Sequence, residues 1–348
     1  MSGLMLVDTE EPGGGIPAPA LELEELRVWY RTRRGMVKAV DGVSLAIQEG
    51  EALGLVGESG CGKSTLGRAV LGILPEVAEV HGTLRLSGMR LDGLDTEELR
   101  QLRGSRAALI FQEPMTRLDP LMSIEAHFRE AIRAHLGGVS REQTRHMAAE
   151  ALAAMGIPPT RLKNYPHEFS GGMRQRIMIS LGLVLGPKVL IADEPTTALD
   201  VLVEANILRI LEDLKTRKHM ALLLITHNLG IIAQTCDRVA VMYAGRLAEI
   251  GPIQEIFARP RHPYAHGLLR SVIHLRTTEL ASIPGQPPDL LEPEAGCRFA
   301  PRCSHAMDVC RRSDPPRVEA DGVSTWCFLY GGAEDEVGVP ASREGFVL

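Results

Sequence analysis

The sequence predicts an α/β domain built on a largely parallel sheet. Short apolar runs of four or five residues recur along the chain, and stretches of helical character separate them. At 348 residues the chain is also long enough to bury a sizeable core. In order, residues 1–20 read as a flexible tail, with acids at Asp8, Glu10 and Glu11 and a Gly/Pro run from Pro12 to Pro19. Buried strands are expected at Ala52–Val56, Ala108–Phe111, Val189–Ala192, Ala221–Ile225 and Val239–Met242. A helix is expected at Thr65–Leu74. Residues 121–160 read as helix followed by a Gly/Pro turn at Gly156–Pro159. Residues 259–293 are rich in Pro and His and show little periodicity, which predicts a domain boundary near 255–260.

Composition excludes several classes. The formal charge of −6 carries no global electrostatic footprint for nucleic acid. Apolar and charged residues, at 45% and 24%, match a soluble globular chain rather than a disordered one. The N-terminal stretch lacks the basic start and apolar segment of a signal peptide, so a cytoplasmic chain is expected. Pro187 and Lys188 interrupt the apolar stretch 177–192, and His227 and Asn228 interrupt 220–234. Neither reaches the roughly 20 apolar residues of a membrane-spanning helix, so any membrane role passes through a partner.

Two motifs point to a bound phosphate. Gly57-Glu58-Ser59-Gly60-Cys61-Gly62-Lys63-Ser64-Thr65 fits G-x-x-x-x-G-K-[ST], directly after one expected strand and before an expected helix. Its glycines let successive backbone N–H groups turn toward phosphate oxygens, and the helix N-terminus adds positive potential. Lys63 would reach the β- and γ-phosphates, and the Ser64 hydroxyl would ligate Mg²⁺. The second motif is Asp193-Glu194, at the C-terminal edge of the strand Val189–Ala192, where open α/β sheets bind ligands. Asp193 would hold Mg²⁺ and Glu194 would polarise an attacking water.

Ser170-Gly171-Gly172 follows Phe169 and opens a long apolar helix, a second helix start with backbone N–H groups free to meet an anion. With that motif the sequence resembles the ATP-binding subunits of ATP-binding cassette (ABC) transporters. The resemblance implies a P-loop ABC cassette of mixed sheet plus an antiparallel β part, a helical subdomain at about 115–185, and a small C-terminal extension. It implies head-to-tail pairing, with ATP between one chain's Gly57–Thr65 loop and the partner's Ser170, Gly171 and Gly172. It also implies that Gln112 senses Mg²⁺ and the water, that Asp200 in Thr197–Asp200 crosses between the nucleotide sites, and that His227 meets the γ-phosphate. Tyr30, rather than Trp29, would stack on adenine.

The resemblance spans about residues 21–335 and is closest to importers of dipeptides, oligopeptides and related solutes. Gln112–Pro120, Ser170–Arg176, His262-Pro-Tyr264 and Ile283–Pro288 carry it. It divides the chain into a cassette (21–255), an extension (256–335) and a tail (336–348). Met173 stands where the broad superfamily has Gln, which implies the D-type subunit of a heterodimer with a Gln-bearing sister chain, a homodimer being the alternative. The implied partners are that sister, two membrane-spanning permease subunits at the cytoplasmic face of the inner membrane and, indirectly, a solute-binding protein. Nucleic acid is not among them.

Cysteine usage is lopsided. Cys297, Cys303, Cys310 and Cys327 fall near the C-terminal end, while Cys61 and Cys236 are isolated. Six cysteines are too few for a secreted disulfide scaffold. The spacing C-x₅-C-x₆-C-x₁₆-C lacks the paired knuckles of common zinc modules. Four thiolates with wider gaps can hold a [4Fe–4S] cluster, its negative charge eased by Arg298, Arg302, Arg311 and Arg312. The pattern also resembles the C-terminal extension of peptide-type ATPases, some of which carry such a cluster. Zinc and free thiols stay open as alternatives.

Two other functions compete. DNA-associated ATPases of related build separate the two phosphate motifs by hundreds of coiled-coil residues, whereas Lys63 and Ser170 lie 107 positions apart. An iron–sulfur redox protein would need no ATP, and no flavin or nicotinamide fingerprint accompanies the cysteines.

Overall fold

The computed structural model describes residues 18–111, 118–196, 201–271 and 282–331. Five wholly buried residues make each of three parallel strands, β3 (Ala52–Val56), β7 (Val189–Asp193) and β8 (Ala221–Ile225). Burial on both faces is why these segments read as unbroken apolar runs. With β6 (Ala107–Ile110) and β9 (Arg238–Tyr243) they form the parallel centre of an eight-stranded sheet, in the order β11-β12-β10-β9-β3-β8-β7-β6. The antiparallel members are β10 (Arg246–Pro252), β11 (Arg317–Ala320) and β12 (Val323–Trp326).

A second, antiparallel sheet of order β2-β1-β4-β5 covers one face. It comprises β1 (Leu21–Thr32), β2 (Gly35–Ile47), β4 (Ala78–Leu86) and β5 (Met89–Arg90). Leu21, Leu23, Leu26 and Val28 turn inward from β1 and meet Leu53, Leu55, Ile191 and Ile225 in one shared core. Helix α1 (Lys63–Val70) packs in the same core through Leu66 and Val70. It starts before the expected Thr65 because Leu66 N–H already bonds the Gly62 carbonyl at 3.0 Å. It ends before Leu74 because Gly72, at φ 60°, turns the chain, with Ile73 N–H returning to the Arg68 carbonyl.

Past α2 (Thr96–Leu102), a separate core of Phe128, Ile132, Leu152, Phe169 and Ile177 holds the helical region together. Its helices are α3 (Ile124–His135), α4 (Arg141–Ala154) and α5 (Gly171–Leu183), each opened by a serine that accepts a backbone N–H: Ser123, Ser140 and Ser170. Helices α6 (Val201–Lys218), α7 (Leu229–Thr235) and α8 (Ile253–Ala258) return to the large sheet.

The stretch without periodicity contains a helix after all, α9 (Pro263–Arg270), whose eight residues are too few for a pattern to emerge. Beyond it, β12 pairs with β10 at Ser324 and Thr325, so the C-terminal region extends the large sheet. Phe299 and Val323 also share the core of Tyr264 and Leu269. A buried ion network reinforces that junction. Asp41 on β2 meets Arg246 at 3.1 Å and the buried Arg298, and Arg246 meets Asp314 at 2.6 Å. Burial, with Arg246 alongside, pushes the Arg298 guanidinium down to about 10.

His262 caps α9, its Nδ1 accepting Tyr264 N–H at 3.0 Å, which requires that nitrogen to be unprotonated. Burial of the ring pushes its pKa down to about 4. The unfolded chain takes up that proton near 6.5, as a free histidine does. The stability tied to His262 is therefore complete above about pH 6.5 and is lost as pH falls toward 4. Urea unfolding across this window should show up to about 1.4 kcal/mol per pH unit from this group. His262→Asn keeps a side-chain cap and should remove that component. An equal slope in the variant would assign the effect elsewhere.

Candidate functional site

The loop Gly57–Gly62 follows β3 and turns directly into α1. Two of its glycines are dictated by space. A Cβ on Gly57 would lie 2.1 Å from the Met242 carbonyl oxygen, and one on Gly62 would lie 2.0 Å from that of Ala39. At φ 103°, Gly62 also holds a backbone that side-chain-bearing residues rarely adopt. Lys63 folds its ammonium back over the loop, donating to the carbonyls of Gly57 at 2.7 Å and Glu58 at 3.0 Å. The Cys61 thiol is buried against the same ammonium, and burial raises its pKa.

Three neighbouring elements complete the site. Ser64 donates its hydroxyl to Asp193 Oδ1 at 3.1 Å, joining the loop to the end of β7. Burial raises the pKa of the Asp193 carboxyl, and the adjacent Glu194 adds to the effect. Glu194 sits at φ 47°, a left-handed backbone that costs about 1–3 kcal/mol outside glycine and clusters at functional sites. Its carboxyl oxygen lies 3.1 Å from His227 Nδ1. His227 itself is 69% exposed, just past β8 and before Asn228, which caps α7. Gly57–Thr65, Asp193, Glu194 and His227 thus gather at the C-terminal edge of β3, β7 and β8.

Tyr30 donates its hydroxyl to Thr65 Oγ1 at 3.4 Å, beside the loop. Trp29 faces the other way, as successive strand residues must, with its indole N–H on Asp41 and Lys38 over its ring. Ser170, exposed at the head of α5, accepts Met173 N–H at 3.4 Å, and Gly171 and Gly172 form the first turn. Helix α5 packs on α3, α4 and β6, whereas α1 packs on β1, β2 and β7. Helix α5 and the end of β7 are nevertheless tied, since buried Gln175 donates to the Pro195 carbonyl. Met173 packs beside the helical core, with Arg161 3.7 Å from its sulfur. Gln112 and Asp200 lie outside the described residues.

Mg²⁺ fits the hydroxyl–carboxylate pair Ser64–Asp193, since this ion is held through one or two carboxylates plus substrate phosphates. The four late cysteines line one small cavity with His262 and Phe299. All four are free thiols, and burial raises the pKa of Cys297, Cys303 and Cys327, the last to about 12. The donor set is that of a cluster in kind and number. Among the described residues, however, no three His, Cys, Asp or Glu side chains are arranged to hold a metal ion. The expected charge relief also differs. Arg298 is engaged by Asp41 and the Ala244 carbonyl, and Arg302 by Glu58 and Tyr243, because both guanidiniums turn toward the cassette.

Sequence reasoning placed neither Tyr264 nor Arg302 at the loop. Tyr264 accepts Glu58 N–H at 2.9 Å on its hydroxyl, and Arg302 pairs with the Glu58 carboxylate. The only sequence signal was the His262-Pro-Tyr264 and Cys-Arg-Cys patterning of the extension, which carries no spatial information.

Comparison with known proteins agrees with this geometry. The ABC transporter family model matches residues 40–197, and the model for the oligopeptide/dipeptide transporter C-terminal region matches residues 248–310. The oligopeptide transport ATP-binding protein OppD of Salmonella typhimurium is 43% identical over 319 residues, covering 90% of this chain and 95% of that protein. The dipeptide transport ATP-binding protein DppD of Bacillus subtilis is 44% identical over 316 residues, covering 89% and 94%. Among solved structures, the dimeric ABC transporter cassette MJ0796 aligns with TM-score 0.60 at 26% identity, over 67% of this chain and 98% of its own. CbiO1 of Clostridium perfringens, part of the ABC transporter complex cbiONQ, aligns with TM-score 0.60 at 29% identity, over 69% and 91%. None of these comparisons supports an iron–sulfur redox protein or a DNA-associated ATPase. With the phosphate loop, the strand-end acids and the C-terminal region matched in one chain, this protein belongs to the ATP-binding proteins of the ABC transporter family, in the oligopeptide/dipeptide branch.

Proposed function

We propose that this chain hydrolyses ATP to power import of di- or oligopeptides or related solutes. The observation that supports it most is the meeting of Lys63, Ser64, Asp193, Glu194 and His227 at one sheet edge. Lys63, released from the Gly57 and Glu58 carbonyls, binds the β- and γ-phosphates, with backbone N–H groups of Gly60–Thr65 around them. Ser64 and Asp193, with Gln112, hold Mg²⁺, which when bound offsets charge on the phosphates. Tyr30 stacks on the adenine. Glu194 orients the attacking water and accepts its proton as the oxygen bonds the γ-phosphorus and ADP leaves. His227, held by the Glu194 carboxyl, contacts the γ-phosphate.

The site closes in trans. Ser170, Gly171 and Gly172 of a second subunit meet the γ-phosphate, and Asp200 crosses between the two sites. ATP favours this closed dimer because only closure adds those contacts, and hydrolysis removes them. Met173 supports a heterodimer with a Gln-bearing sister chain. The described residues contain no helix long and apolar enough to cross a membrane. As in the transporters it resembles, we place the protein peripherally, at the cytoplasmic face of the inner membrane, docked on two permease subunits through the helices of about 115–165. A solute-binding protein outside delivers the cargo. Residues 21–255 form the cassette, 256–335 the extension, and nucleic acid has no part.

A second reading concerns the extension. It rests on the kind and number of the donors rather than on their arrangement: Cys297, Cys303, Cys310 and Cys327, four thiols on one cavity, would hold a [4Fe–4S] cluster.

Three outcomes test these readings. Glu194→Gln should trap an ATP-bound dimer, seen by size-exclusion chromatography, with turnover down at least about 100-fold; near-normal hydrolysis would remove Glu194 from its role. Glu194→Gly should raise unfolding stability by about 1 kcal/mol through relief of the left-handed backbone. A lower stability in urea would show that contacts of the side chain outweigh the strain. Anaerobically purified protein should contain about four irons per chain and absorb in the visible, both lost in Cys303→Ser. Colourless, iron-free wild type would end the cluster reading.

A further inference from the structure

The extension reaches the phosphate loop at two points, both on Glu58, and holds the neighbouring strand β2 at a third. The Glu58 carboxylate receives both terminal nitrogens of Arg302, at 2.8 and 3.0 Å. Its N–H is held by Tyr264. Its carbonyl is an acceptor for Lys63. Glu58 therefore stands between the extension on one side and the phosphate-binding lysine on the other. The third attachment is a strap. Lys38 N–H bonds the Leu290 carbonyl at 2.8 Å and Glu292 N–H bonds the Met36 carbonyl at 3.0 Å, laying residues 290–292 along β2.

Arg302 is built for a fixed geometry. Its side chain is only 5% exposed, and its remaining donors meet the Pro284 carbonyl at 2.8 Å, the Ile283 carbonyl at 3.2 Å and the Tyr243 hydroxyl at 3.1 Å. Its guanidinium lies 5.7 Å from the Tyr243 ring centre and 6.0 Å from that of Phe299. Tyr243, Tyr264 and Phe299 meet tilted or edge to face, with ring centres 4.5 to 5.5 Å apart. A bidentate arginine–carboxylate pair adds direction as well as energy, and a planar fork gripped on every donor cannot swing away as a lysine would. The Ala300–Arg302 turn runs directly into Cys303, so the wall of the cysteine cavity and the clamp on the loop are one segment.

We infer that Arg302 is a positioning residue for nucleotide: through Glu58 the C-terminal extension holds the phosphate loop in its binding shape. This rests on the nucleotide-binding reading above. Arg302 touches no reacting atom. It acts by keeping Glu58, and hence the carbonyls that park Lys63 and the loop's N–H groups, in place before phosphate arrives. Removing the clamp lets the loop sample other shapes, and apparent affinity falls by the fraction of molecules no longer competent.

The test measures binding of a fluorescent ATP analogue by the full-length chain, with thermal unfolding alongside. Arg302→Ala and Glu58→Gln should each weaken binding about tenfold. The double variant should be no weaker than the worse single, because both remove one interaction. Arg302→Lys should recover part of the loss. Where the protein turns over ATP, KM should rise with kcat within about twofold. Unchanged affinity in folded Arg302→Ala, or losses that multiply in the double variant, would overturn the inference. Should Arg302→Ala fail to fold, Glu58→Gln decides alone: weaker binding supports the clamp, and unchanged binding overturns it. Absence of binding by the wild-type chain would instead overturn the nucleotide reading, and this inference with it.

Discussion

Backbone against backbone is the constraint on which the site depends. The phosphate loop is wedged between the end of β9, at Met242, and β2, at Ala39, without room for a single Cβ at Gly57 or Gly62. That approach determines where α1 begins and how the loop's N–H groups point. It also explains the second sheet. Leu21, Leu23, Leu26 and Val28 bury β1 against β3 and α1, and the same packing brings β2 close enough for Ala39 to wall the loop. A phosphate loop of this kind is thus a property of two sheets rather than of nine consecutive residues.

The chemistry at its edge is arranged in a similar way. Asp193 is driven into a poorly solvated place at the end of a wholly buried strand, where a carboxylate is costly without a cation or donor. Ser64 supplies a hydroxyl to it. Glu194, one residue on, is held in a strained backbone by Glu194 N–H bonding the Ile225 carbonyl. Neither feature stabilises the fold by itself. Both are tolerated because β7 and β8 are anchored along their whole length.

The C-terminal region changes the picture of a cassette with an appendage. Its last strand pairs with β10, Phe299 completes the core around Tyr264, and Arg298 inserts into an ion network with Asp41 and Arg246. Breaking one partner of such a network leaves an uncompensated buried charge, so the contact is hard to open once formed. The phosphate loop consequently has a structural neighbour on the side away from the sheet, and its cysteine cavity lies directly behind that neighbour.

Much of the architecture was legible before folding. Ala52–Val56 and Ala221–Ile225 emerge as strands with the expected bounds, because full burial writes a continuous apolar run into the sequence. The phosphate loop and the acids after Val189–Ala192 were legible because glycine spacing and strand-end carboxylates are local chemistry. Helix α9 was not, since eight residues carry too little periodicity to read. Tyr30, the residue chosen by resemblance, lies at the loop and Trp29 does not, because the strand's register decides the face each side chain takes. Arg302 looked like one of four arginines beside cysteines, and its pairing with Glu58 spans 244 positions. The sequence by itself determined which groups can meet a nucleotide, because that chemistry sits in contiguous motifs. Only the tertiary structure decided what holds those motifs still, because the contacts that do so join residues brought together by the closing of two sheets and a shared core.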